Sequence, residues 1–400
     1  MDKRVFLDVQ WKMHSLYNEL VLSPPEGYQF VTAPTSVDHM FRLASKMRLA
    51  YVLQQRILAP LLPLVLLKSY MEKYLKTPPD RPDLTYACEH LVFREEDWVV
   101  SMGGVTELVG GEGRHVRQFR KLIEAKLGSV RCKGVICYYE AARRSLETGL
   151  DCRGFEDKVF VVHLAVRKKS LDKNHDREKV RLLFVGSVNI PGQFEIKGGK
   201  ETLEAFVNLQ KRYDNLELVI RSDVPQDIRD RYRGLPNLRI IDQIIPWEIL
   251  EQEFLAADIF VLPAHCTVGM AMLDAMSYEM PVVTTDVYAN PELVQDGATG
   301  FVVRQPDNVP YSQGGLPVSM FTPSFTKAIK RTDRRLVEDI VRQTSILIEN
   351  PGLRRRMGKA ARQEVEEGKF SIERRNRQLK EILDRATAEG GSVPQRSCIS

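Results

Sequence analysis

The stretch DIFVLPAHCTVGMAMLDAMSYEMPVVTTDVYANPELVQDGATGFVV, residues 258–303, decides the fold. Residues 259–262 are a wholly apolar run of strand length. A short loop follows, then a helical pattern that opens near Gly269, and then a second apolar run at 281–285. Strand, helix and strand in that order predict parallel pairing. The loop between them then lies at the carboxyl edge of the sheet, where ligands bind, and the helix start turns unpaired N–H groups toward it. That geometry suits a phosphate.

Working outward, the pattern repeats. Ahead of the quoted stretch, residues 180–185, 216–220 and 238–241 read as strands, and 200–213, 226–233 and 247–257 read as helices. Alternation of this kind predicts a doubly wound α/β sheet. Strand-like runs at 4–9, 28–32, 84–87, 98–101, 134–137 and 159–163, with helical patterns at 116–127 and 140–148, predict a second sheet of the same class. With 400 residues, 43% of them hydrophobic, two cores are expected rather than one.

The expected division is a first domain over 1–166, a polar linker over 167–179 and a second domain over 180–350. Two terminal helices follow over 351–388, and a disordered tail over 389–400. Residues 304–332 read as a long loop, and the glycines between 103 and 113 as a mobile loop or a turn cluster.

Composition removes several function classes. Lys and Arg number 58 against 53 Asp and Glu, a net charge of +5 too diffuse to argue for nucleic acid. The six cysteines form no Cys-x-x-Cys pair and have no His at zinc spacing, so no metal site is expected, and a reduced, cytoplasmic protein is. Asp8, Gln10 and Lys12 interrupt any export signal. The longest apolar run, 57–67, carries Pro60 and Pro63 and is much shorter than the roughly 20 residues that span a bilayer. No Gly-x-Gly-x-x-Gly follows the first strand of either domain, which disfavours a nicotinamide enzyme.

Around the apolar 53–67 stretch stand Arg42, Lys46, Arg48, Arg56, Lys68, Lys73 and Lys76, opposed only by Glu72. Two readings stay open for residues 42–76: a basic amphipathic segment on an anionic membrane surface, or a kinked buried helix pair.

Gly269, Asp274, Ala275, Met276, Pro281, Val282, Val283, Pro291, Glu292, Asp296, Gly297 and Gly300 fall in the order of a known signature. The chain resembles the retaining family-4 glycosyltransferases of the GT-B fold (glycosyl transferases group 1), strongly over 180–303 and weakly over the first 165 residues. The resemblance implies two Rossmann-like domains facing a cleft, with a nucleotide-sugar donor on the second and an acceptor glycan, lipid or small molecule between them. It also implies sugar transfer with retention of configuration, and no cofactor.

The same resemblance assigns the donor side. Gly186 ends a strand, and Lys197 and Gly198 match the Lys-Gly pair whose cation grips the diphosphate. Ser187 stands where the family usually has Arg, so one of two cations is missing. Val268, Gly269 and Met270 supply N–H groups, Asp274 takes the ribose hydroxyls, and Gln243 is counted with the donor set. Cys266 replaces the first acid of an acidic pair, and as a thiol with a reference pKa of about 8.5 it is no ionic acceptor near neutral pH.

The catalytic set is Lys197, Cys266 and His90, with His265 and His115 as further polar candidates. Each has a plain alternative, a solvated lysine or a structural histidine. Together with Ser187, the cysteine also leaves room for a nucleotide-sugar-binding protein that has lost catalysis.

Overall fold

The computed structural model describes residues 2–10, 15–32, 61–75, 78, 82–171, 173, 178–188 and 192–388. Arg42, Lys46, Arg48, Arg56 and Lys76 of the basic segment, part of the linker (174–177) and the tail after 388 lie outside them.

In chain order the first sheet is built from β1 (Lys3–Val9), β2 (Tyr28–Thr32), β3 (Leu84–Cys88), β4 (Trp98–Met102), β5 (Cys132–Cys137) and β6 (Val159–Val161). They lie side by side as β2-β1-β3-β4-β5-β6, with every pairing parallel. The second sheet contains β7 (Val180–Val185), β8 (Leu216–Arg221), β9 (Leu238–Ile241), β10 (Ile259–Leu262), β11 (Val282–Thr285) and β12 (Gly300–Val303). Their order is β12-β11-β10-β7-β8-β9, again all parallel. Both sheets are doubly wound, as expected.

Burial explains why these runs are strands. Every residue of β3, β4, β10 and β11 is buried, as in a parallel sheet covered by helices on both faces. In the second sheet the chain leaves β7, builds β8 and β9 on one side, and returns as β10 on the other. The crevice at the carboxyl ends of β7 and β10 is therefore the topological switch point. Helix Pro351–Glu366 packs on helix Gly269–Ser277. Helix Ile372–Ala386 buries Leu379, Ile382, Leu383 and Ala386 with Val5, Leu7, Val99 and Ile136 of the first sheet.

Three local expectations are corrected. The single helix at 116–127 is two, Gly113–Gln118 and Arg120–Leu127, broken at Phe119, whose φ of −103° and ψ of 15° leave the helical region. The segment 304–332 holds a small hairpin, Ser312–Gln313 against Leu316–Pro317, and a helix, Pro323–Ala328, started by the Thr322 side chain. The glycine-rich 103–113 segment is folded, with a 3-10 helix at Val105–Val109.

The apolar 53–67 run is described only from 61 onward. There a helix, Leu64–Leu75, buries Val65 and Leu66 and exposes Leu67, Tyr70, Met71 and Tyr74. Among the described residues, no helix is long and apolar enough to cross a membrane.

Candidate functional site

At the switch point two loops are zipped together. The His265 N–H donates to the Ile196 carbonyl at 2.8 Å, which ties the loop after β10 to the turn carrying Lys197. Gly198 makes the contact possible: its φ is +79°, and a Cβ there would lie 2.2 Å from the Pro263 carbonyl oxygen. Lys197 is half-buried beside this contact. Burial, reinforced by the Arg221 guanidinium and opposed by Cys266, lowers its ammonium to about 8. Burial also pushes the Cys266 thiol up to about 11 despite the nearby lysine, so the thiol is neutral.

The loop itself is fixed from β11 and the turn beyond it. Thr267 accepts the Ala289 N–H at 3.1 Å, and Asn290 donates to the Cys266 carbonyl at 3.4 Å. Helix Gly269–Ser277 then begins with no side-chain cap, so its first N–H groups, including those of Gly269 and Met270, have no intrahelical acceptor. Val268 is the residue before the first turn. Lys197, Cys266 and the start of this helix are thus brought together at one edge.

The other donor-side residues are placed less uniformly. The Gly186 carbonyl accepts Arg221 Nη1 at 2.8 Å, and the Ser187 carbonyl accepts the Asp223 N–H at 3.2 Å. Asp274 is half-buried at the junction of the domains. Burial pushes its carboxyl up to about 6, with Lys169 of the linker opposing and Glu19 of helix Ser15–Leu22 adding to the rise. Gln243 is exposed in the loop after the edge strand β9, and no hydrogen bond joins it to the 263–268 loop.

The first domain closes against this edge. A Cβ on Gly269 would stand 2.6 Å from both the Tyr139 hydroxyl and Leu164. Tyr288 donates to the Gly103 carbonyl at 3.0 Å, and the Glu292 carboxylate accepts the N–H groups of Glu140 and Ala141 at 2.7 Å each. Glu292 therefore caps the helix Glu140–Gly149 across the domain boundary, where an anion is favoured.

His90 is not brought to Lys197 or Cys266. It is buried, with Nδ1 on the Cys88 carbonyl at 2.9 Å and Nε2 3.5 Å from Asp8, and both partners belong to the first domain. Asp8, buried in β1, is approached by both His90 and Arg94. Asp8, Glu72 and His90 are also the described residues grouped closely enough to offer metal ligands, but the Arg94 guanidinium already bonds Asp8 at 2.6 Å. His115 is buried as well, and burial lowers its imidazole below the usual range.

Three residues went unnoticed in the sequence. Arg221 ends β8, directly beside the turn holding Lys197. On the facing edge, Glu89 follows β3 with a φ of +64° and accepts the Tyr17 hydroxyl at 2.9 Å, while Glu107 accepts the Gly103 N–H at 2.6 Å. Burial raises both carboxyls, and the Glu89 charge raises Glu107 further, so two carboxylates lie together at the carboxyl edge of β3 and β4. A non-glycine residue at positive φ signals strain of the kind kept at working sites. That signal is conformational and leaves no trace in the residue type.

Residues 179–312 match the family described as "Glycosyl transferases group 1". Sulfoquinovosyl transferase SQD2 of Arabidopsis thaliana is 23% identical over 224 residues, 54% of this chain and 35% of that protein, so the chain spans about a third of this relative's length. Among solved structures, a glycosyltransferase from Rickettsia africae aligns with a TM-score of 0.60 at 12% identity, covering 97% of this chain and 100% of that one. HepE of Anabaena, solved in complex with UDP-glucose, aligns with a TM-score of 0.58 at 14% identity, covering 96% and 100%. At these identities the structural likenesses speak for the fold. Two parallel six-stranded sheets and the structural likenesses identify the chain as a GT-B fold, whose residues 179–312 match the glycosyl transferases group 1 family.

Proposed function

We propose that this protein transfers a sugar from a nucleotide-sugar to an acceptor hydroxyl, with retention of configuration and without a metal or organic cofactor. The observation that carries the proposal is Lys197: a half-buried ammonium with no carboxylate partner among the described residues, set at the switch point beside an uncapped helix start. A cation is costly in such a place unless an anion arrives to meet it. The family match over this domain, and a structural neighbour solved with UDP-glucose, support a nucleotide-sugar as that anion.

In this reading the nucleoside diphosphate lies along the carboxyl edge, with its phosphates on Lys197 and on the N–H groups of Val268, Gly269 and Met270. The acceptor oxygen bonds to the anomeric carbon from the face the diphosphate leaves as the bond to the diphosphate oxygen breaks, and the acceptor's proton passes to that departing oxygen. Negative charge then grows on the leaving diphosphate, where the preorganised ammonium and N–H dipoles stabilise it. Asp274 receives the ribose hydroxyls, and Gly186, Ser187, Gly198 and Gln243 complete the donor side. Retention and the family-4 subtype rest on the resemblance of the 258–303 signature. Glycan and lipid acceptors, and a place on an anionic cytoplasmic membrane face reached through 42–76, belong to the same proposal. The exposed Leu67, Tyr70, Met71 and Tyr74 support that last part.

Cys266 favours a second reading, a GT-B-shaped nucleotide-sugar-binding protein without turnover, because a neutral thiol stands where the family holds an acid. Incubation with UDP-, GDP- and ADP-sugars, with EDTA present, separates the two. Release of nucleoside diphosphate supports transfer, whereas tight binding of a donor with no release supports the binding protein. No binding of any donor overturns both.

A further inference from the structure

We propose that Arg221 is the second cation of the diphosphate site, doing from β8 what position 187 does not. The inference rests on the reading of the switch point as a nucleotide-sugar site and deepens it.

The placement follows from topology. Arg221 is the last residue of β8 and pairs in register with Val185, the last residue of β7. Its side chain reaches over the end of β7, where Nη1 donates to the Gly186 carbonyl at 2.8 Å. The residue is half-buried, and its Nε is buried with no hydrogen-bond partner. Among the described residues, no carboxylate pairs with it. Burial depresses the guanidinium, and it in turn opposes the charge on Lys197.

Two cations close enough to oppose one another, both partly desolvated and neither matched by an acid among the described residues, are an unfavourable arrangement without an anion. A diphosphate carries enough negative charge and enough acceptor oxygens to satisfy both, and the planar guanidinium suits a phosphate in two-pronged fashion. Ser187, one residue beyond Gly186, carries no charge where the resemblance would place an arginine. The cation has moved to the neighbouring strand.

A purely structural role is the alternative: Arg221 holding the Gly186 carbonyl. Arg221→Gln keeps a donor for that carbonyl and removes the charge, so it separates the two. By calorimetry, UDP, GDP and ADP are titrated into wild type and Arg221→Gln, with the matching nucleosides, which lack phosphate, as controls.

The expected result is a loss of about 10- to 150-fold in nucleoside diphosphate affinity, the range for one charged hydrogen bond. Nucleoside affinity and the melting temperature should hold. Ser187→Arg in the same background should regain at least tenfold. The pH above which diphosphate affinity declines should also move upward in Arg221→Gln, because the guanidinium that opposes the Lys197 charge is gone, a shift that a structural prop would not produce.

Equal diphosphate affinity in wild type and Arg221→Gln overturns the assignment while leaving the site intact. If wild type itself binds no nucleoside diphosphate, the reading of the site fails instead. Should Arg221→Gln melt early, Arg221→Lys decides. Retained diphosphate affinity in that variant supports a charge role, and a loss matched by equal loss of nucleoside binding refutes it.

Discussion

Lys197→Met, followed across pH, tests the electrostatics of the donor side. In the folded protein the ammonium is lowered from its usual 10.5 to about 8, first by burial and then by Arg221. That displacement amounts to about 3 kcal/mol of disfavour for the charged form. The sign follows from proton counting. The folded value lies below the unfolded one, so the unfolded chain holds more protons between pH 8 and 10.5, and the fold gains stability as pH rises through that window.

A bound diphosphate reverses the imbalance. Its charge favours the ammonium, so the lysine's pKa rises on binding and protons are taken up near pH 8 to 9. Affinity for a nucleoside diphosphate should be flat between about pH 6 and pH 8. Above it, affinity should fall by up to about tenfold per pH unit until the complex itself titrates. Lys197→Met should bind about 10- to 150-fold more weakly at pH 7, from loss of a charged contact of about 1.5–3 kcal/mol, and should lose this pH dependence. Titration of the nucleobase is common to both proteins and cancels. Calorimetry in two buffers of different ionisation enthalpy reads the proton uptake directly. The same slope in wild type and Lys197→Met, or undiminished affinity in the variant, refutes the argument.

Three further outcomes are expected. Gly198→Ala forces a side chain into a backbone at φ +79° and against the Pro263 carbonyl, so it should cost at least about 1–2 kcal/mol in a thermal or denaturant melt. An unchanged melt would mean the two loops are not in contact. Asp274→Asn should weaken nucleotide binding, and in wild type affinity should fall as pH drops below about 6, where the raised carboxyl takes its proton; the variant should show no such fall. Finally, the protein should sediment with anionic but not neutral vesicles and be released by salt. Equal indifference to both lipids would assign the 42–76 segment to other contacts.

Much of the second domain was legible because a parallel sheet writes itself plainly. Fully buried strands such as β10 and β11 appear as unbroken apolar runs, and the helices between them keep their own period. Lys197, Cys266 and the Gly269 helix start could be grouped because all three follow strands that end at the same edge. Arg221 could not, since it lies 24 positions from Lys197 and only the register of β8 on β7 makes them neighbours. A polar residue at a strand end reads as solvent-exposed until the topology is known.

The hairpin in 304–332 did leave a signal. Gly314 and Gly315, both at positive φ between short strands, are the residues such a turn demands. The first domain was harder because its cleft edge is built from ties remote in sequence, such as Tyr288 on Gly103 and Glu292 on the helix at Glu140. His90, a candidate by residue type, lies 3.5 Å from Asp8 within the first domain.

The central claim is that the switch point of the second domain binds a nucleotide-sugar and gives up its sugar. NMR of wild type, Lys197→Met and Cys266→Glu with a panel of UDP-, GDP- and ADP-sugars measures this directly through the anomeric proton of donor and product. The account predicts that wild type consumes at least one donor and yields a product with the donor's anomeric configuration. Lys197→Met should be slowed at least tenfold, and Cys266→Glu should be slowed or altered in donor preference, since a carboxylate adds a charge the pocket does not pair. Intact donor after prolonged incubation with wild type, or a product of inverted configuration, would contradict it.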